Sequence, residues 1–115
     1  MTTEVRDNPE QSRYEVRVDH QVAGFAAYKL RGRTIAFTHT EVGDAFAGRG
    51  LARRLVAEAL ADARRRRLAV LPFCPYVRRV IARDPDRYLD LVASKDRARF
   101  GLPVDPGVHD PPESG

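Results

Sequence analysis

Between Phe37 and Ala52 the chain changes its grammar. Phe37-Thr38-His39-Thr40-Glu41-Val42 reads as a strand, Gly43-Asp44-Ala45-Phe46-Ala47 as a short loop, and Gly48-Arg49-Gly50-Leu51-Ala52 as the glycine-opened start of a helix. A helix start leaves its first backbone N–H groups without intrahelical partners and carries a partial positive charge, so a phosphate placed there meets ready donors. Gly48 and Gly50 let the backbone approach a ligand closely. A glycine pair by itself also fits a loop that simply needs flexible joints, so the neighbouring segments decide.

With 115 residues the chain can bury one core and forms one domain. No apolar run reaches membrane-spanning length, and Met1-Thr2-Thr3-Glu4 lacks the basic and apolar regions of a signal peptide, so a cytoplasmic location is expected. Cys74 is the single cysteine, which excludes an internal disulfide, and His20, His39 and His109 are too scattered to suggest a metal site. The formal charge of +4 comes almost wholly from arginine, since Lys29 and Lys95 are the only lysines. Such a balance allows anionic partners from nucleic acid to a nucleotide cofactor without choosing between them.

Residues 1–12 are polar and read as a flexible N-terminus. From Arg13 the pattern alternates, with Tyr14, Val16 and Val18 on one face and Arg13, Glu15 and Arg17 on the other. A bend at His20-Gln21, a strand from Val22 to Leu30, a turn at Arg31-Gly32 and a strand from Arg33 to Val42 complete a three-stranded antiparallel meander. After the glycines the period becomes helical. Leu51, Leu55 and Ala59, interleaved with Ala52, Val56, Leu60 and Ala63, form an apolar stripe. Leu68 to Pro72 predicts a strand covered on both faces, and Pro75 suits the first turn of a helix to about Arg83. Asp84-Pro85 ends that helix, and Tyr88 to Val92 folds back onto the core. The domain thus runs over residues 13–100, and residues 101–115, with Pro103, Pro106, Pro111 and Pro112, read as a disordered tail.

His39-Thr40-Glu41-Val42, Gly48-Arg49-Gly50-Leu51-Ala52 with its helix, Pro72-Phe73-Cys74-Pro75-Tyr76-Val77, and Asp84-Pro85 with Tyr88 and Leu91-Val92 together resemble the small acetyltransferase-like branch of the GNAT N-acetyltransferase superfamily. The resemblance implies a compact mixed α/β fold that binds acetyl-CoA as co-substrate and passes acetyl to a primary amine, on a small molecule or a protein. It also implies a monomer or weak dimer. The pyrophosphate would rest on backbone N–H groups of Ala47, Gly48, Arg49, Gly50, Leu51 and Ala52. Pantetheine would pair like an added strand along Thr40, Glu41 and Val42, near Cys74 and Tyr76. Two departures stand out. The Gln or Arg usual three residues before the first glycine is Ala45 here, and the helices that lie between the first two strands of longer relatives are missing.

Acetyl transfer needs a deprotonated amine, a donor for the developing oxyanion and a proton for the leaving thiolate. Strand alternation puts Ile35, Phe37, His39 and Glu41 on one face unless a bulge intervenes. Glu41 is the first candidate base and His39 the second, each weighed against an ordinary solvated or structural role; the Val42 N–H is a candidate oxyanion donor. Cys74 is either a covalent acetyl carrier or a small buried residue, and Tyr76 either the acid for the thiolate or a core aromatic. Arg78, Arg79 and Arg83 face CoA phosphates or solvent. Arg64-Arg65-Arg66-Arg67 invites a nucleic-acid reading, but four consecutive helical residues point in all directions, and cations suit a helix C-terminus. A non-catalytic acyl-CoA-binding module is the alternative of a different class.

Overall fold

The computed structural model describes residues 2–104, and the expectation for residues 105–115 lies outside them. Strands β1 (Thr3–Asn8), β2 (Arg13–Val18), β3 (Gln21–Arg31) and β4 (Thr34–Val42) pair antiparallel in sequence order, and β5 (Ala69–Pro72) joins β4 in parallel. Asp19 and His20, at φ 50° and 71°, make the two-residue turn between β2 and β3. Conformations of that hand match the twist of a hairpin.

β1 corrects the expectation of a flexible start. Its one apolar side chain, Val5, packs on the core, and its polar neighbours are tied across the sheet. The Tyr28 hydroxyl donates to Asp7 at 2.7 Å, Asn8 donates to Glu15 at 3.0 Å, and the Arg54 guanidinium donates to the Thr3 carbonyl at 3.2 Å. With β1 in place, the first two strands are joined by the short turn Pro9–Gln11. β1 and β2, rather than β2 and β3 as the sequence suggested, are thus the first two strands.

Helix α1 (Leu51–Arg65) buries Leu51, Leu55, Val56, Ala59, Leu60 and Ala63, the predicted stripe save Ala52, which is only half-buried. They meet Tyr14, Val16, Ala26, Ile35, Phe37 and Val70 in one core, to which α2 (Pro75–Arg83) adds Val77 and Ile81. Full burial of each large side chain contributes about 1.5–3 kcal/mol, so packing holds this layer together. β5 is an edge strand with one covered face: Val70 and Pro72 are buried, Ala69 and Leu71 only half-buried, which corrects the two-faced reading. Beyond α2 come α3 (Pro85–Tyr88) and α4 (Ser94–Arg97), and Tyr88, Leu89, Leu91 and Val92 turn back onto the core as expected. Phe100 and Leu102 are buried too, so the packed chain continues past residue 100 into the segment read as tail. Among the described residues no helix is long and apolar enough to cross a membrane.

Polar side chains clasp α1 to the sheet. The Tyr14 hydroxyl donates to Asp62, and Arg66 reaches the Tyr14 oxygen at 3.3 Å, Asp62 at 3.4 Å and Asp7 at 3.6 Å. On the opposite sheet face Glu15 is buried, with Arg13 at 2.9 Å and Arg17 at 3.1 Å. Burial pushes both carboxyls up, but hydrogen bonds outweigh it and hold both below the ordinary range. The donors are Tyr14, Arg65 and Arg66 for Asp62, and Asn8, Arg13 and Arg17 for Glu15. A carboxyl lowered by folding contributes stability that is complete above its unfolded value and is lost as pH falls through the folded one. Urea unfolding followed from about pH 7 downward should therefore show stability falling below the ordinary values of 3.8 and 4.5. Stability that held or rose there would contradict these ties.

Candidate active site

β5 stops where β4 goes on. Thr34 to Phe37 pair with Ala69 to Pro72, and a last bond from the Cys74 N–H to the Phe37 carbonyl, 2.8 Å, closes the contact. Thr38 to Val42 continue along β3 alone, since the sheet order puts no described strand on their other side. Pro72 lacks the N–H a ladder needs, and Pro75 turns the chain into α2. The Gly43 N–H bonds to the Ala23 carbonyl at 2.8 Å, toward β3. By alternation the N–H and C=O groups of Val42 and Thr40 then face the vacated edge.

A bulge at Thr38 decides which side chains meet. Tyr28 stands opposite Phe37 and Ala27 opposite His39, so Thr38 has no partner of its own. The extra residue reverses the alternation. Ile35 and Phe37 are buried on the helix side, whereas His39 and Glu41 are exposed on the other, which corrects the shared face read from sequence. His39 Nε2 lies 3.1 Å from Glu41 Oε1, both side chains about three-fifths exposed at 59% and 62%. Phe25 lies beside them, its ring 6.0 Å from that of His39 and 4.7 Å from the Arg13 guanidinium. Thr40 turns inward, its hydroxyl oxygen 3.4 Å from the buried Cys74 Sγ. Of the predicted catalytic residues, His39 and Glu41 thus stand on one side of β4 and Cys74, against Thr40, on the other, while Tyr76 lies apart from both on α2.

The helix start is open. Gly48 and Gly50 have φ of 81° and 72°, and a Cβ on either would meet nothing within 4 Å. Gly50 caps α1 with no side-chain help, and the first helical bond runs from the Arg54 N–H to the Gly50 carbonyl at 3.2 Å. The N–H groups of Leu51, Ala52 and Arg53 therefore precede the helical ladder. Arg49 lies against the Phe46 ring at 5.6 Å.

Next to this start, Arg53 opens a cavity of about 240 Å³ between α1 and the segment from α2 to α3, which Arg79, Arg83, Arg87 and Asp84 also line. Tyr76 belongs to this cavity, with the Arg79 guanidinium 5.9 Å from its ring. Arg79 and Arg83 were foreseen, while Arg53 and Arg87 were not, because the cavity is assembled from three elements. The four-residue spacing of Arg79, Arg83 and Arg87 was its one visible signal. The arginine run is used differently. Arg64 grips Asp90 at 2.7 Å and 3.0 Å, Arg65 pairs with Asp62 at 2.9 Å, and Arg66 belongs to the clasp, so three of the four hold the fold together.

Residues 13–91 match the model of the GCN5-related N-acetyl-transferase family. The chain belongs to that family, as an N-acetyltransferase of the GNAT type. Its fold is similar to a GCN5-like candidate N-acetyltransferase from Staphylococcus aureus solved by NMR, at a TM-score of 0.59 and 18% identity over 78% of this chain and 87% of that one. A ribosomal-protein-alanine N-acetyltransferase from Brucella melitensis is a more distant likeness, at a TM-score of 0.49 and 23% identity over 70% of this chain and 61% of that one. No curated protein matches.

Gly24 tests how the open edge is positioned. A Cβ there would stand 2.5 Å from the Glu41 carbonyl oxygen and 2.9 Å from Val42 Cγ2. Gly24→Ala should push the end of β4 outward and cost about 1–3 kcal/mol, read as a lower Tm in a thermal melt. An unchanged Tm would show that this contact does not fix the strand.

Proposed function

We propose that the protein transfers acetyl from acetyl-CoA directly to a primary amine. The observation that carries this reading is that the vacated β4 edge, the open start of α1 and the arginine-lined cavity follow one another along the molecule. The N–H groups of Leu51 and Ala52, beside Gly48 and Gly50, suit a diphosphate, and the edge at Thr40 and Val42 suits the amide groups of a pantetheine arm. Arg53, Arg79, Arg83 and Arg87 supply positive charge for the nucleotide end.

In the transfer, the amine nitrogen attacks the thioester carbonyl carbon, the C–S bond breaks, and the sulfur leaves as thiolate. The Val42 N–H is the donor assigned to the carbonyl oxygen as it gains charge. Glu41, paired with His39 on the open face, takes the proton released by the attacking amine. The thiolate takes its proton from solvent, because Tyr76, the sequence candidate for that role, lines the cavity given to the nucleotide end. Cys74, buried and held by Thr40, stays on the core side and takes no acetyl group.

Calorimetry with acetyl-CoA, followed by thiol release with a panel of amines, tests the reading. Heat and turnover are expected. Binding without turnover on any amine would favour an acyl-CoA-binding module instead. Gly48→Val, which fills the open space and strains a positive φ, should abolish binding, and an unchanged affinity would move the phosphate site elsewhere.

Two further variants separate the chemistry. Glu41→Gln should lower kcat/KM by about a hundredfold or more with little change in acetyl-CoA affinity. Cys74→Ala should keep turnover within about twofold, with no acetyl adduct in intact-mass spectra of the parent protein. A stable adduct together with loss of turnover would establish the covalent route.

A further inference from the structure

The two edges of the sheet are built differently. β5 spans four residues and ends in Pro72, which offers no N–H, as a guarded edge does. β1 is a regular six-residue strand with neither proline nor bulge. The Asp19 N–H bonds to the Thr2 carbonyl at 2.8 Å, so Thr2 faces β2. By alternation Glu4, Arg6 and Asn8 also turn their backbone groups to β2, while those of Thr3, Val5 and Asp7 point out of the sheet.

We infer that β1 is the edge through which two copies of this chain pair antiparallel, about a two-fold axis at Val5, to make one continuous ten-stranded sheet. Backbone parity leaves few registers open, because only outward residues can exchange hydrogen bonds. With the axis at Val5, Val5 pairs with its own copy and Thr3 with Asp7 of the other strand, so every outward residue of β1 finds a partner. The same register sets Glu4 opposite Arg6 of the other copy, twice. Centring on Glu4 or Arg6 instead would oppose like charges, which disfavours those pairings.

Within one chain Glu4 and Arg6 already lie 3.2 Å apart on the same side of the strand, so pairing turns this couple into a four-charge array. The Thr3 carbonyl, now held by Arg54, would accept from the Asp7 N–H of the other copy. β1 and β4 are separated by two strands, so the acetyl-transfer edges of both copies stay open. Five paired residues make a small interface, and the dimer should be reversible and concentration-dependent.

Sedimentation velocity over about a thousandfold range of concentration should show monomers converting to dimers. Val5→Pro removes an outward N–H that the single chain does not use, and should abolish the dimer while leaving a cooperative thermal melt. Glu4→Arg alone and Arg6→Glu alone should each disperse the dimer, and the double variant Glu4→Arg with Arg6→Glu should restore it. A parent chain that stays monomeric throughout overturns the proposal. So does a dimer that survives Val5→Pro and both single reversals, or a double variant that stays dispersed.

Discussion

The parting of β4 from β5 is the constraint on which the rest depends. A strand buried inside a sheet has no backbone groups to spare, and an edge strand at the rim offers them to any passing chain. Here the edge is made inside the molecule, because β5 ends at Pro72 while β4 carries on to Val42. The bond from Cys74 to Phe37 marks the fork. Under the proposed function, the strand edge from Thr40 to Val42, the start of α1 and the His39–Glu41 pair follow this fork along the chain.

The same arrangement leaves side chains exposed on one sheet face beside the fork. The connection between the first two strands is only four residues long, so nothing from that segment roofs the face carrying Phe25, His39 and Glu41. The opposite face is closed by α1 and α2, and its polar groups are spent on stability: Tyr14 and Arg66 on Asp62, Arg64 on Asp90. One side of the sheet is thus committed to packing, while His39 and Glu41 stand exposed on the other.

The helix stripe from Leu51 to Ala63, the glycine-opened start and the short apolar β5 were legible because each is a local pattern of period or composition. β1 was not, since Val5 is its lone apolar residue and its ties to Tyr28 and Arg54 join residues far apart in sequence. The bulge at Thr38 was equally silent: any residue can occupy it, yet it exchanges the faces of every side chain that follows. Glu41 and His39 were therefore read on the wrong face of β4. Arg53 and Arg87 escaped for a third reason, being brought to one cavity by the packing of α1 against α2 and α3 rather than by any motif.

Amide NMR of the nitrogen-15-labelled protein titrated with coenzyme A tests the fork most directly. The signals of Thr40, Val42, Gly48, Leu51 and Ala52 should move together and saturate together, while those of β1 stay in place. Perturbations centred on any other part of the sheet, with these five unmoved, would contradict the account.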